Sequence, residues 1–326
     1  MELFQFGDSR IQTTRIGLGL AALGRPGYIN LGHGDDLSHN YDEKVMESQT
    51  HEMLDEAFRL GIRYVDAAQS YGKSEEFLSS WLAENAQHDL MVGSKWGYYY
   101  TADWSVDADK HEIKEHTLPR LNLQWPESKS RLAPYLKLYQ IHSATFESGV
   151  LKNTQVLERL EEIKSEGYII GLSVSGAQQA AIIQEALKVT IDEQPLFGSV
   201  QATFNCLEQS AGDALREAHD FGLGVIVKEA VANGRLTARN EKANYFKVLD
   251  RIAKDHEVGI DAVAMAFVLD HPFVNVVLSG AAKESHLRSN VQALDIQLTS
   301  KEKDILNVLK TTPENYWQER SGLSWN

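Results

Sequence analysis

Asp66, Tyr71, Lys95 and His142 place an acid, a phenol, an ammonium and an imidazole in the first half of a 326-residue chain. Asp66 closes the apolar run Ile62-Arg63-Tyr64-Val65, Lys95 closes Leu90-Met91-Val92-Gly93-Ser94, and His142 follows Leu136-Lys137-Leu138-Tyr139-Gln140-Ile141. Tyr71 lies in the loop five residues after Asp66. Each residue alone has a bland explanation. An acid at a strand end is usually a cap, a lysine there can snorkel to solvent, and a histidine is usually a satisfied structural group. Together they can move a proton. An ammonium beside a phenol draws its pKa down from about 10 toward the working pH, a difference worth roughly 3–4 kcal/mol. That phenol can pass a proton to a carbonyl oxygen while His142 orients it and Asp66 pairs with Lys95.

Such a site needs several strand ends opening on one face. Short β-branched runs alternate with amphipathic segments along the whole chain. The strand candidates are Ile16–Leu20, Arg63–Asp66, Leu90–Ser94, Lys137–Ile141, Tyr168–Ser173, Ser199–Thr203, Gly224–Val227 and Asn275–Ser279. Helix candidates include Lys44–Leu60, Ser74–Glu84, Gln155–Glu166, Gln178–Leu187, Glu208–Phe221, Asp261–Leu269 and Glu284–Leu294. In the first of these, Val45, Met46, Met53, Leu54, Ala57 and Phe58 recur at helical steps and make one apolar face. Strand–helix alternation implies a parallel sheet, and eight strands point to a closed α/β barrel, the (β/α)8 TIM barrel. We expect one domain over residues 1–326. Leu3–Thr14 reads as a β-hairpin turning at Gly7-Asp8 and capping the barrel floor. Long loops follow strand 1 (Ala21–Asn40) and strand 7 (Lys228–Asn244), and the tail from about 311 to 326 is expected near the mouth.

A formal net charge of −14 disfavours nucleic acid and anionic membranes as partners. Cys206 is the only cysteine, so no intramolecular disulfide can form, which fits a reducing compartment. The opening residues do not resemble a signal peptide, and no stretch approaches the roughly 18 apolar residues that cross a bilayer. A cytoplasmic location is the expectation.

Gly17-Leu18-Gly19-Leu20-Ala21-Ala22 satisfies the dinucleotide fingerprint G-x-G-x-x-A. That motif needs a helix to open on it and hold the pyrophosphate. Gly24-Arg25-Pro26-Gly27 is a poor helix start, so a Gly-rich strand end and loop is the better reading.

The stretch Gly61-Ile62-Arg63-Tyr64-Val65-Asp66-Ala67-Ala68-Gln69-Ser70-Tyr71-Gly72-Lys73-Ser74-Glu75-Glu76-Phe77-Leu78 resembles the second-strand signature of the aldo-keto reductases. Ser94-Lys95-Trp96-Gly97 and Tyr139-Gln140-Ile141-His142 resemble the lysine and histidine motifs of the same family. The resemblance runs from about Arg15 to Leu298. It implies a nicotinamide-dependent oxidoreductase acting on a small carbonyl or sugar, with Tyr71 as general acid/base, Lys95 and Asp66 tuning it, and His142 orienting the substrate. It further implies that Ser173 and Gln201 hold the nicotinamide amide, although Val174 stands where the family usually has Asn. Lys228 replaces the usual stacking aromatic. Gly280, Lys283 and Asn290 match the adenosine-phosphate segment, with His286 in place of a commoner Gln or Arg. Lys283, His286 and Arg288 could attract a 2′-phosphate, which favours NADP(H) over NAD(H). Trp96 and Tyr98 are candidates for an apolar substrate pocket. Two rivals use the same barrel. One is a Schiff-base lyase or aldolase with Lys228 or Lys95 as nucleophile; the other is a non-catalytic nucleotide-binding regulator.

Overall fold

A computed structural model describes residues 1–85 and 89–326. Eight parallel strands close into a barrel: β1 Ile16–Gly19, β2 Tyr64–Asp66, β3 Met91–Trp96, β4 Leu136–Ala144, β5 Ile169–Val174, β6 Ser199–Thr203, β7 Gly224–Lys228 and β8 Val276–Ser279. Each pairs with the next, and β8 pairs back onto β1. Around them lie α1 Glu43–Arg59, α2 Ser74–Glu84, α3 Leu118–Leu132, α4 Thr154–Ser165, α5 Gln179–Ala186, α6 Gly212–Asp220, α7 Phe246–Asp255, α8 Ile260–Leu269, α9 Glu284–Val291, α10 Ser300–Asn307 and α11 Pro313–Ser321. The TIM-barrel expectation holds. Among the described residues, no helix is long and apolar enough to cross a membrane.

The outer core fills the space between strands and helices. In α1, Met46, Met53, Leu54 and Ala57 are buried at helical steps, and the Asp42 side chain caps the backbone amides of Lys44 and Val45. The barrel interior is a smaller cluster of Phe6, Tyr64, Met91, Leu138, Ile226, Val276 and Leu278. Phe6 follows the first arm of the expected hairpin, in which Phe4 pairs with Thr13 and Gln5 with Gln12. Its ring seals the floor against Gly224, where an added Cβ would come within 2.4 Å of it.

Helices α3, α7, α10 and α11 and two short hairpins lie outside the helix and strand candidates of the sequence. Helix α3 carries Pro119 in its first turn and Pro126 in its interior, so it did not read as a helix. Tyr98–Tyr100 and Glu112–Lys114 pair as an antiparallel hairpin after β3. The Gly17–Ala22 segment is strand followed by turn, without a helix, as its context predicted. The loop after β1 does contain one helical turn, His33–Asp36.

Candidate active site

Successive residues of a strand face opposite ways, so every second residue of a barrel strand points inward. Tyr64 and Leu138 lie in the interior cluster. In phase with them, β2 therefore presents Asp66, and β4 presents Gln140 and His142. On β3 the inward phase carries Gly93 and Lys95. The register sets Asp66 beside Gly93, and Lys95 beside Gln140. Both Lys95 and His142 lie within their strands, one and two residues short of the ends, where the sequence placed them at or just past a strand terminus.

The Lys95 ammonium is ion-paired with the Asp66 carboxylate and donates to the Ala67 carbonyl at 3.0 Å. The other Asp66 oxygen accepts from Tyr64 at 3.0 Å, Gln201 at 3.0 Å and Gln140 at 3.4 Å. This donor set offsets the desolvation of a fully buried pair. Tyr71 is positioned from the loop. Its amide donates to Ala68, its carbonyl accepts from Ser74, and Lys73 donates to Gly24 at 2.8 Å. Gly24 lies so close to this turn that a Cβ would come within 2.3 Å of the Tyr71 carbonyl. The Tyr71 ring meets His142 edge-on at 5.4 Å between centroids, and the Lys95 ammonium lies 4.8 Å from the Tyr71 ring centre. The four predicted residues converge.

Their electrostatics differ from the expectation in one respect. Burial holds the Tyr71 phenol well above its ordinary value, and the Asp66 carboxylate raises it further, with Arg25 opposing. Burial holds the Lys95 ammonium below its ordinary value, so it gives up its proton before the raised Tyr71 phenol does and cannot draw that phenol down. Burial, Lys95 and Arg25 hold His142 well below 6.5, so the imidazole is neutral near pH 7. Its Nδ1 lies 3.2 Å from the Ser70 hydroxyl. With that hydroxyl donating, the ring proton resides on Nε2.

Arg25 was not foreseen. It extends from the β1 loop, lies 5.3 Å from the Tyr71 ring centre, bonds Glu112 at 3.0 Å and the Ser70 carbonyl at 3.1 Å, and approaches Trp325 at 5.0 Å. Trp325 in turn stacks on His111 at 3.9 Å. Trp325 thus lies beside Arg25 and His111. Asn326 accepts from the His33 and Gly34 amides. Gln140 and Tyr64 were also missed, yet alternation alone puts both in phase with His142 and Asp66.

One cavity, of about 310 Å³, is lined by Asp66, Tyr71 and His142 and extends past Ser173, Gln201, Lys228 and Gly280 to His286 and Asn290. These residues fit an extended dinucleotide. A Cβ on Gly280 would meet nothing within 4 Å, and the Asn233 side-chain oxygen that lines the cavity is buried without a partner. Lys283 stands aside, donating to the Asp35 carbonyl at 3.1 Å and pairing with Asp36 at 3.4 Å. Trp96 corrects the pocket expectation. It is fully buried in the outer core, because Lys95 takes the inward phase and sends its neighbour outward. Tyr98 lies 4.8 Å from the His142 ring. Among the described residues, no cluster of His, Cys, Asp and Glu could hold a metal.

At the β7 end, Lys228 donates to Ser175 at 2.9 Å and Thr203 at 2.8 Å, and burial brings its ammonium down to about 8. The neighbouring Glu229 forms a two-pronged pair with Arg320 of α11. Burial alone would raise the Glu229 carboxyl, but Arg320 and Lys228 outweigh it and hold it at about 2. A depressed folded pKa gives stability that is present above the ordinary value of 4.5 and is lost as pH falls toward 2. We expect Arg320→Met to cost about 1.5–3 kcal/mol near neutral pH. Melting curves from pH 6 to pH 2.5 should show the wild type losing that advantage over the variant.

A model of the aldo/keto reductase family matches residues 15–310. This chain belongs to the aldo/keto reductase family. It is 25% identical to the uncharacterized oxidoreductase YqkF of Bacillus subtilis, covering 91% of this chain and 92% of that protein. It is 24% identical to the NADH-specific methylglyoxal reductase of Escherichia coli, covering 92% and 95% respectively. The aldo-keto reductase AKR11C1 from Bacillus halodurans, in its holo form, superposes with a TM-score of 0.72 at 22% identity, over 96% of this chain and 97% of that one. The protein is thus an enzyme of the aldo-keto reductase kind, a nicotinamide-dependent oxidoreductase acting on small carbonyl compounds.

Proposed function

We propose that this aldo-keto reductase reduces a small aldehyde or ketone, or oxidises the corresponding alcohol or sugar hydroxyl, with Tyr71 as general acid/base. The observation that carries this reading is the meeting of Tyr71, His142 and the Lys95–Asp66 pair at one end of the cavity that runs on past Gly280 to Asn290. The nicotinamide supplies or accepts the hydride when bound. Ser173 and Gln201 would hold its amide, Gln201 exchanging its bond to Asp66 for one to the cofactor. His142 Nε2 donates a hydrogen bond to the substrate oxygen and fixes its direction. Tyr71 then gives its proton to the oxygen as negative charge develops there. A phenol held above its ordinary value is fully protonated near pH 7, which is the form that reduction needs. An alkoxide is far more basic than a phenolate, so the transfer remains downhill. Oxidation requires the phenolate and therefore gains with rising pH.

The identities of two relatives support a carbonyl or sugar substrate. One is the methylglyoxal reductase above; the other, 25% identical over 82% of this chain, is a D-threo-aldose 1-dehydrogenase of a Pseudomonas species. The test is to follow loss of NADH or NADPH absorbance against a panel of aldehydes, ketones and sugars. Turnover with at least one carbonyl supports the reading, and no turnover with any, in either direction, contradicts it.

One observation favours a second reading. Lys228, with its ammonium near 8, carries some free amine at neutral pH and lines the same cavity. Borohydride trapping of a carbonyl compound on Lys228 would support a Schiff-base activity; failure to trap would remove it.

A further inference from the structure

The basic residues that suggested a 2′-phosphate are already committed to carboxylates. Asp36, at the end of the His33–Asp36 turn, is nearly fully buried and lines the far end of the cavity. Three cationic or titratable groups converge on it. The Arg239 guanidinium from the β7 loop is ion-paired with one oxygen, and Lys283 lies 3.4 Å from the same oxygen. His286 Nδ1 lies 3.8 Å from the other. Arg288, the remaining candidate, pairs with Glu56 and Glu284. A second carboxylate, Asp261, lines the cavity beside Asn290.

Asp36 is also held in place from several sides. Its amide donates to Gly32, Gln49 approaches its carbonyl at 3.5 Å, and Asn326 anchors the start of its turn. It joins the β1 loop, the β7 loop and the segment after β8 at one point. Expelling it would unfasten all three.

We infer that Asp36 selects the cofactor: its carboxylate occupies the basic cluster a 2′-phosphate would need, and favours NAD(H) by accepting a ribose hydroxyl. A 2′-phosphate carries roughly 1.5 to 2 negative charges. It must either displace Asp36 from Arg239 and Lys283 or lie against it, and like charges in one site disfavour each other. A free ribose hydroxyl is a donor, and a carboxylate is the acceptor that suits it. The inference depends on the cavity being a nicotinamide-dinucleotide site, as proposed above.

The test is binding, without turnover: titrate the full-length protein with NADH and with NADPH, and follow quenching of intrinsic tryptophan fluorescence. The wild type should bind NADH at least tenfold more tightly than NADPH. Asp36→Ala should tighten NADPH binding at least tenfold and weaken NADH binding. Asp36→Asn keeps the size and packing of the side chain, and should shift the ratio the same way should the alanine variant fail to fold. Equal or tighter binding of NADPH by the wild type would overturn the inference and leave the oxidoreductase reading standing. A ratio unmoved by either substitution would likewise overturn it. Failure of both nucleotides to bind would bring down the two together.

Discussion

Tyr71→Phe should lower kcat for carbonyl reduction by about 10²–10⁴-fold, the range expected when a positioned general acid is removed. The change deletes one oxygen and keeps the ring. The edge-on contact with His142 and the approaches of Lys95 and Arg25 are contacts of that ring, so the fold and the cavity should survive. Affinity for the nicotinamide cofactor should stay within about twofold, because the loss falls on a step in which charge develops and not on ground-state binding. His142 is a poor substitute, since it is neutral and its proton is spent in orienting the substrate oxygen. Rapid-mixing measurement of cofactor oxidation separates the two effects. Wild-type turnover in the phenylalanine variant would remove Tyr71 from the reaction.

Lys95→Met should destabilise the protein by about 3–5 kcal/mol and also abolish most activity. Both groups of the pair are almost wholly inaccessible to solvent. Without the ammonium, the Asp66 carboxylate keeps only neutral donors, from Tyr64, Gln140 and Gln201. The double variant Asp66→Asn/Lys95→Met removes both charges. It should regain most of the lost stability, because a buried ion pair is worth little against a neutral replacement of similar size. Activity should not return with it. Denaturant unfolding of the wild type, the single variant and the double variant tests this. Equal stability of all three would mean that the pair is solvated and does not act as one buried unit.

The barrel was legible because its strands are short apolar runs separated by amphipathic helices, a pattern that few folds produce. The proton-transfer set was legible for the same reason, since three of its members sit near strand ends. What escaped follows from the limits of reading along a chain. Gln140 and Tyr64 were within reach, as they share the inward phase of His142 and Asp66. Trp96 has the opposite phase to Lys95 and therefore faces the outer core. Arg25, Asp36 and Arg239 come from loops, where no periodicity fixes which way a side chain points. Proximity to Lys95 suggests an acidified phenol, but burial raises the Tyr71 phenol and lowers the Lys95 ammonium, so the ammonium's charge is gone before the phenol titrates. Helix α3 carries Pro126 in its interior against its local propensity, and burial of Leu121, Trp125 and Leu132 holds it in the folded protein.

A crystal structure of the protein with an oxidised nicotinamide cofactor and an unreactive carbonyl analogue would be the most direct measurement. The carbonyl oxygen should lie within about 3 Å of both the Tyr71 hydroxyl and His142 Nε2, the reach of a hydrogen bond that can carry a proton. An analogue bound with its oxygen turned away from both would contradict the proposed chemistry.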